Sequence, residues 1–236
     1  MAIQEKRLKN IEDILNAKVP LISGTLVYRG VNNSDYKLIP SVGRWTGKES
    51  SRLHYERQIF DEFKKSAIGY LSYIPRTEWE WLFLAQHHGL PTRLLDWTTS
   101  PLIALFFALI QDKPNIEHDY AVYQAPFAQV IPTEPQKFLG NDPLRVNGTA
   151  LVHPSFVSPR VETQSSVFSI QQDPWNELVE PNEITKFVFP KESRTDGLRK
   201  LAYYGIKHSL LFPGLDSLAK DIVFKHDTKF NYLKGS

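Results

Sequence analysis

Apolar residues recur along this chain with two periods, and the switch between them marks its elements. Leu8, Ile11, Ile14 and Leu15 fall at helical spacing with charges between them, which predicts an amphipathic helix over Gln4 to Ala17. "TLVYRG", Thr25 to Gly30, has the β-branched and aromatic content of a strand, stopped by Gly30 and the polar turn "VNNSD". Leu53, Ile59, Phe60 and Phe63 predict a long helix between Lys48 and Leu71, capped near Ser50 or Ser51. The next helix runs through "TEWEWLFLAQHHG", where Thr77 and Glu80 have capping-box spacing and Gly89 is a natural stop. "PTRLLDW" reads as a loop or short strand, and "SPLIALFFALIQ" opens a helix with Ser100 as N-cap and Pro101 in first place.

Further along, the pattern shortens. "DYAVYQA", "SSVFSI", "TKFVFP" and "HSLLF" are brief apolar or alternating runs bounded by turn residues, and predict strands. "DGLRKLAYYGI" predicts a helix ending at Gly205, and "DSLAKDIVFKH" another. An early strand must therefore pair with strands far along the chain. That order fits one α+β domain, with an N-terminal helix in residues 1–20, a core over 21–225 and a tail at 226–236.

Composition narrows the functions. Of 236 residues 42% are hydrophobic, enough for a substantial core, and 28 Lys and Arg against 26 Asp and Glu leave a formal charge of +2. Such a balance sets up no global field for a polyanion, so a nucleic-acid partner would need a local patch. With no cysteine there are no disulfides, thiol nucleophiles or thiolate metal sites. The charged start "MAIQEKRLKNIEDIL" is unlike a secretory signal and no run approaches a membrane span, so the expected location is cytoplasmic and no membrane partner is expected.

Candidate chemistry concentrates in "AQHHGLPTRLLDWTTSPLIALFFAL", Ala85 to Leu109. One helix ends and another begins around a polar loop carrying His87, His88, Arg93, Asp96, Thr98, Thr99 and Ser100, an arrangement suited to a cleft wall. Arg93 and Asp96 are placed to share a concavity or to pair beside Trp97. Adjacent histidines without a His-x-x-x-His partner give no zinc pattern, so no metal is expected. There is also no Gly-x-Ser-x-Gly elbow, Walker loop or Gly-x-Gly-x-x-Gly fingerprint.

"YRG" at Tyr28 to Gly30, "YKLIPSVGR", the Glu56-bearing helix, the block "WEWLFLAQHHGLPTRLLDWTTSPLIALFFA", "PRVETQSSVFSI" and "KLAYYGIKHSLLFPGLDSLA" together resemble the FRG domain, a family named for its Phe/Tyr-Arg-Gly motif. The similarity covers nearly the whole chain. A more distant resemblance is to ADP-ribosyltransferases of the arginine-serine-glutamate type: Arg29 on a first strand, Thr98 and Ser100 before a helix, and "ETQSSVFSI" where the later catalytic strand begins. It implies an ADP-ribosyltransferase-like mixed sheet with flanking helices, and NAD as substrate. Arg29 would hold the pyrophosphate, Thr98 and Ser100 would orient the ribose, and a carboxylate would promote an oxocarbenium-like transition state. At the family's glutamate position stands Gln164, with Glu162 two residues earlier on the same expected strand face; Glu162, Glu56 or Asp96 would have to supply the carboxylate. His88, Arg93 and Asp96 would shape the NAD pocket, and Arg160 could add a phosphate contact.

Three functions stay open at this point. The first is transfer of ADP-ribose to a protein or nucleic-acid acceptor, in a setting suited to a bacterial or phage toxin, effector or defence component, with an inhibitory partner conceivable. The second is a non-catalytic module binding nucleotide, nucleic acid or protein. The third is a metal-independent nuclease using His88 and Arg93.

Overall fold

A computed structural model describes residues 3–17, 24–110, 117–128, 130–131, 134–154, 163–180 and 183–226. Its strands are β1 (Gln4–Arg7), β2 (Thr25–Val31), β3 (Leu94–Thr98), β4 (Tyr120–Phe127), β5 (Val130–Ile131), β6 (Thr149–Val152), β7 (Ser166–Gln171) and β8 (Thr185–Phe189). Its helices are α1 (Arg52–Ala67), α2 (Glu78–His87), α3 (Pro101–Leu109), the single turn α4 (Gln136–Leu139), α5 (Arg194–Tyr203), α6 (His208–Leu211) and α7 (Leu215–His226). This is the α+β architecture the patterning predicts. Among the described residues, no helix is long and apolar enough to cross a membrane.

All eight strands belong to one sheet, in the order β1-β8-β4-β2-β3-β7-β6-β5. Pairing is antiparallel except for β1 with β8 and β5 with β6. The early strand β2 sits mid-sheet, paired to β4 along its full length from Thr25–Phe127 to Val31–Ala121. To β3 it is joined at one position only, Tyr28 opposite Thr98. The sheet therefore consists of two four-stranded halves hinged at that pair. Their facing sides share one core: Val27, Tyr123 and Val188 come from one half, and Leu95, Trp97 and Val167 from the other. The Trp97 and Phe127 rings meet edge to face across it at 6.1 Å.

Helices cover the two outer faces. On the β2 side, Tyr28, Tyr120, Phe187 and Phe189 pack under α3 and Leu201 of α5. On the β3 side, Leu94, Phe168 and Ile170 pack against Trp79 and Phe83 of α2 and Phe60 of α1. Period-two alternation puts Tyr28 and Gly30 on the face that α3 covers. A Cβ at Gly30 would lie 1.8 Å from the carbonyl oxygen of Ala104, so only glycine lets the α3 backbone rest directly on the strand. That is the structural reason for the glycine in Tyr28-Arg29-Gly30.

Two expectations are corrected. The N-terminal helix is instead the short edge strand β1 followed by a 3-10 turn, Ile11–Ile14. Gln4 to Arg7 carry no apolar residue, and their exposed side chains suit a sheet edge; the helical spacing survives only as the burial of Ile11 and Ile14. Likewise "HSLLF" is not a strand. The Asp221 carboxylate accepts from the backbone N–H groups of His208 and Ser209 at 3.0 and 2.9 Å, which holds the start of the short helix α6. A brief apolar run is ambiguous by period, and here the local cap decides.

Candidate functional site

Two strands that meet at one residue must diverge on either side of it, and a polar cleft of about 760 Å³ opens there. Arg29 of β2, Asp96 and Thr98 of β3, His88 at the end of α2 and Gln164 just before β7 all line it. A second cavity, of about 250 Å³, lies among α3, α5 and α7 with a mostly apolar lining, and contains none of the residues singled out from the sequence. The polar cleft is the candidate site.

Local signals bring each group there. Thr77 accepts from the Glu80 N–H at 3.1 Å to start α2, while the Glu80 carboxylate accepts from the Arg76 N–H rather than from Thr77, so the box is half formed. The helix ends where Gly89 takes a φ of +83° and the Leu90 N–H reaches back to Ala85 O at 3.0 Å, leaving Gln86, His87 and His88 at the cleft. The segment "YKLIPSVGR" is pinned alongside: Ser41 Oγ accepts from the Thr92 N–H at 3.0 Å, and the Val42 N–H donates to Thr92 O at 3.1 Å. Arg44 thereby joins the lining, as does the half-exposed ring of Tyr36.

Arg29 Nη1 donates to the backbone oxygen of Asp96 at 2.6 Å, with the Asp96 carboxylate at 3.5 Å. Burial lowers the Arg29 basicity from its ordinary value; the negative charge of Asp96 opposes this and the positive charge of Arg44 adds to it. An arginine remains charged under such pressure. Among the described residues, the lining thus sets two guanidinium groups and two histidines against one carboxylate, that of Asp96, an arrangement that receives anions.

On the opposite lip, Thr98 Oγ1 donates to Gln164 O at 2.8 Å and accepts from the Ser100 N–H at 3.2 Å, so this hydroxyl fixes the loop before β7. Gln164 lies in a turn rather than opening the strand, which begins at Ser166 after Ser165 takes a φ of +47°. Its side-chain amide donates to Leu211 O at 3.0 Å.

The remaining candidates fall elsewhere. Ser100 accepts from the Ile103 N–H at 3.4 Å as the N-cap of α3 and does not line the cleft. Arg93 neither pairs with Asp96 nor enters the cleft: fully buried, it donates through Nε and Nη2 to the two oxygens of Glu56, at 2.8 and 2.5 Å. Glu56 is consumed by that pair and brings no carboxylate to the site. Glu162 and Arg160 lie outside the described residues. Arg44, Gln86 and Tyr36 are cleft residues that the sequence reading did not select; Arg44 and Tyr36 sit in a motif it quoted, and Gln86 stands beside the two histidines.

Residues 24–117 match the family model of the FRG domain. No curated protein and no solved structure matches the chain.

Proposed function

From the premise that this chain carries an FRG domain, we propose that its cleft binds NAD and that the protein is an ADP-ribosyltransferase-like enzyme acting in the cytoplasm on a protein or nucleic-acid acceptor. The observation that carries the reading is Arg29, held in the gap where β2 and β3 part, with Arg44 lining the same cleft. In this role Arg29 and Arg44 hold the pyrophosphate, and His88 and Tyr36 border the bound dinucleotide. Thr98 keeps the opposite lip in register through Gln164 O, and Ser100 anchors α3 behind it. The carboxylate that stabilises positive charge at the anomeric carbon would be Glu162 or Asp96, with Gln164 beside it.

Incubation of the purified protein with radiolabelled NAD and a cell lysate tests this. Label should pass to one class of polymer, defined by protease and nuclease digestion, and Arg29→Ala should abolish it. A folded wild-type protein that transfers no label and releases no nicotinamide contradicts the reading.

A second reading has its own observation. Gln164 commits its amide to Leu211 O, and a glutamine cannot serve as a base. The same cleft would then bind a nucleotide without turnover. Saturable binding of NAD with no nicotinamide release selects this alternative.

A further inference from the structure

Asp96 is the exposed partner of a mostly buried arginine, and the position of its carboxylate is set by a third residue. Gln86, at the end of α2, donates from Nε2 to both Asp96 carboxylate oxygens, at 3.0 and 2.9 Å. The Asp96 carboxylate only accepts, so it fixes the amide in that sense, and Thr92 Oγ1 completes the arrangement by donating to Gln86 Oε1 at 2.5 Å; turning the amide over would set its oxygen against the carboxylate and break both bonds to Asp96. Thr92 is itself buried, and its N–H and carbonyl are bonded to Ser41. The relay therefore runs from a rigid loop to the carboxylate.

Its effect falls on Arg29. An arginine beside an unrestrained carboxylate closes into a two-bond fork, as Arg93 does with Glu56. Arg29 instead takes the Asp96 backbone oxygen at 2.6 Å, while the carboxylate stays at 3.5 Å under the hold of Gln86. We infer that Asp96 is a resident counter-anion of Arg29, kept half-released by Gln86, so that an incoming phosphate competes with a loosened carboxylate rather than a closed ion pair. This rests on the reading that Arg29 receives the phosphate of the ligand. Gln86 is accordingly a positioning residue that acts through Asp96.

The two residues then have effects of opposite sign. Removing the charge of Asp96 removes the competitor and tightens anion binding. Removing Gln86 lets Asp96 close on Arg29 and weakens binding, but only while Asp96 carries its charge.

Calorimetric titration with inorganic pyrophosphate at fixed salt tests this on wild type, Asp96→Asn, Gln86→Met, the double variant and Arg29→Ala, each checked for folding by circular dichroism. Expected are about fivefold tighter binding for Asp96→Asn, about fivefold weaker binding for Gln86→Met, and a double variant that behaves as Asp96→Asn alone. Weaker or unchanged binding by Asp96→Asn overturns the inference, as does a double variant that keeps the Gln86→Met loss; should Gln86→Met fail to fold, the direction for Asp96→Asn decides. If Arg29→Ala abolishes binding while Asp96→Asn fails to tighten it, the cleft reading stands and the counter-anion role falls. Wild-type binding that Arg29→Ala leaves intact, or no binding by folded wild type, overturns both.

Discussion

Arg93 and Arg29 each stand beside a carboxylate, and the two encounters are built for opposite ends. The Arg93 side chain is 0% exposed and that of Glu56 3%; both carboxylate oxygens are engaged, and the pair ties α1 to the start of β3. Arg29 is 17% exposed beside an Asp96 that is 57% exposed, and their carboxylate contact stretches to 3.5 Å. A closed pair buried away from the cleft is out of reach of a ligand. An open one, in a cleft with a second arginine, keeps donors available. What separates the two is the packing around each arginine, since the residue types are nearly the same.

The largest effect should come from breaking the closed pair. Glu56→Ala leaves the Arg93 guanidinium buried without its counter-charge and should cost about 3–5 kcal/mol of folding free energy, read from urea denaturation. A Glu56→Leu/Arg93→Met variant should recover most of that loss, because two apolar side chains replace two desolvated charges. Next in size is Gly30→Ala, one residue from Arg29. Its methyl group would meet the Ala104 carbonyl at 1.8 Å, so α3 must lift from β2. A loss of about 1–3 kcal/mol is expected, together with disturbed ligand binding at the cleft. The smallest stability effect should be that of Arg29→Ala, about 1 kcal/mol for a hydrogen bond and a loose, solvent-screened ion pair. A loss for Arg29→Ala as large as that for Glu56→Ala would erase the distinction between clamp and site.

Much of this was legible where the signals are local. The Thr77 and Ser100 caps, the stop at Gly89, the strands around "VYRG" and "AVYQA" and the α3 helix all follow from short-range rules, and the structure bears them out. The fold also brings Arg29, His88, Asp96, Thr98 and Gln164 to the lining of one cleft, a juxtaposition of distant segments. What escaped was non-local. The partner of Arg93 is Glu56, 37 positions away, whereas Asp96 only three positions on faces Arg29 instead. Arg44 enters the cleft because Ser41 is bonded to Thr92, a contact between segments about 50 residues apart that no periodicity announces. Strand β1 escaped for a different reason: its residues are all polar, and an edge strand of charges has no alternation to read. The hydroxyls of Thr98 and Ser100 were visible as a pair, but that one is bonded to Gln164 O and the other to the Ile103 N–H required the folded chain.

The most direct test of the central claim is thermal unfolding of wild type and Arg29→Ala across a range of NAD concentrations. A ligand that binds only the folded state raises Tm as its concentration increases. The account predicts a rising Tm for wild type and a flat response for Arg29→Ala. Equal rises for the two proteins, or no rise for wild type, would contradict it.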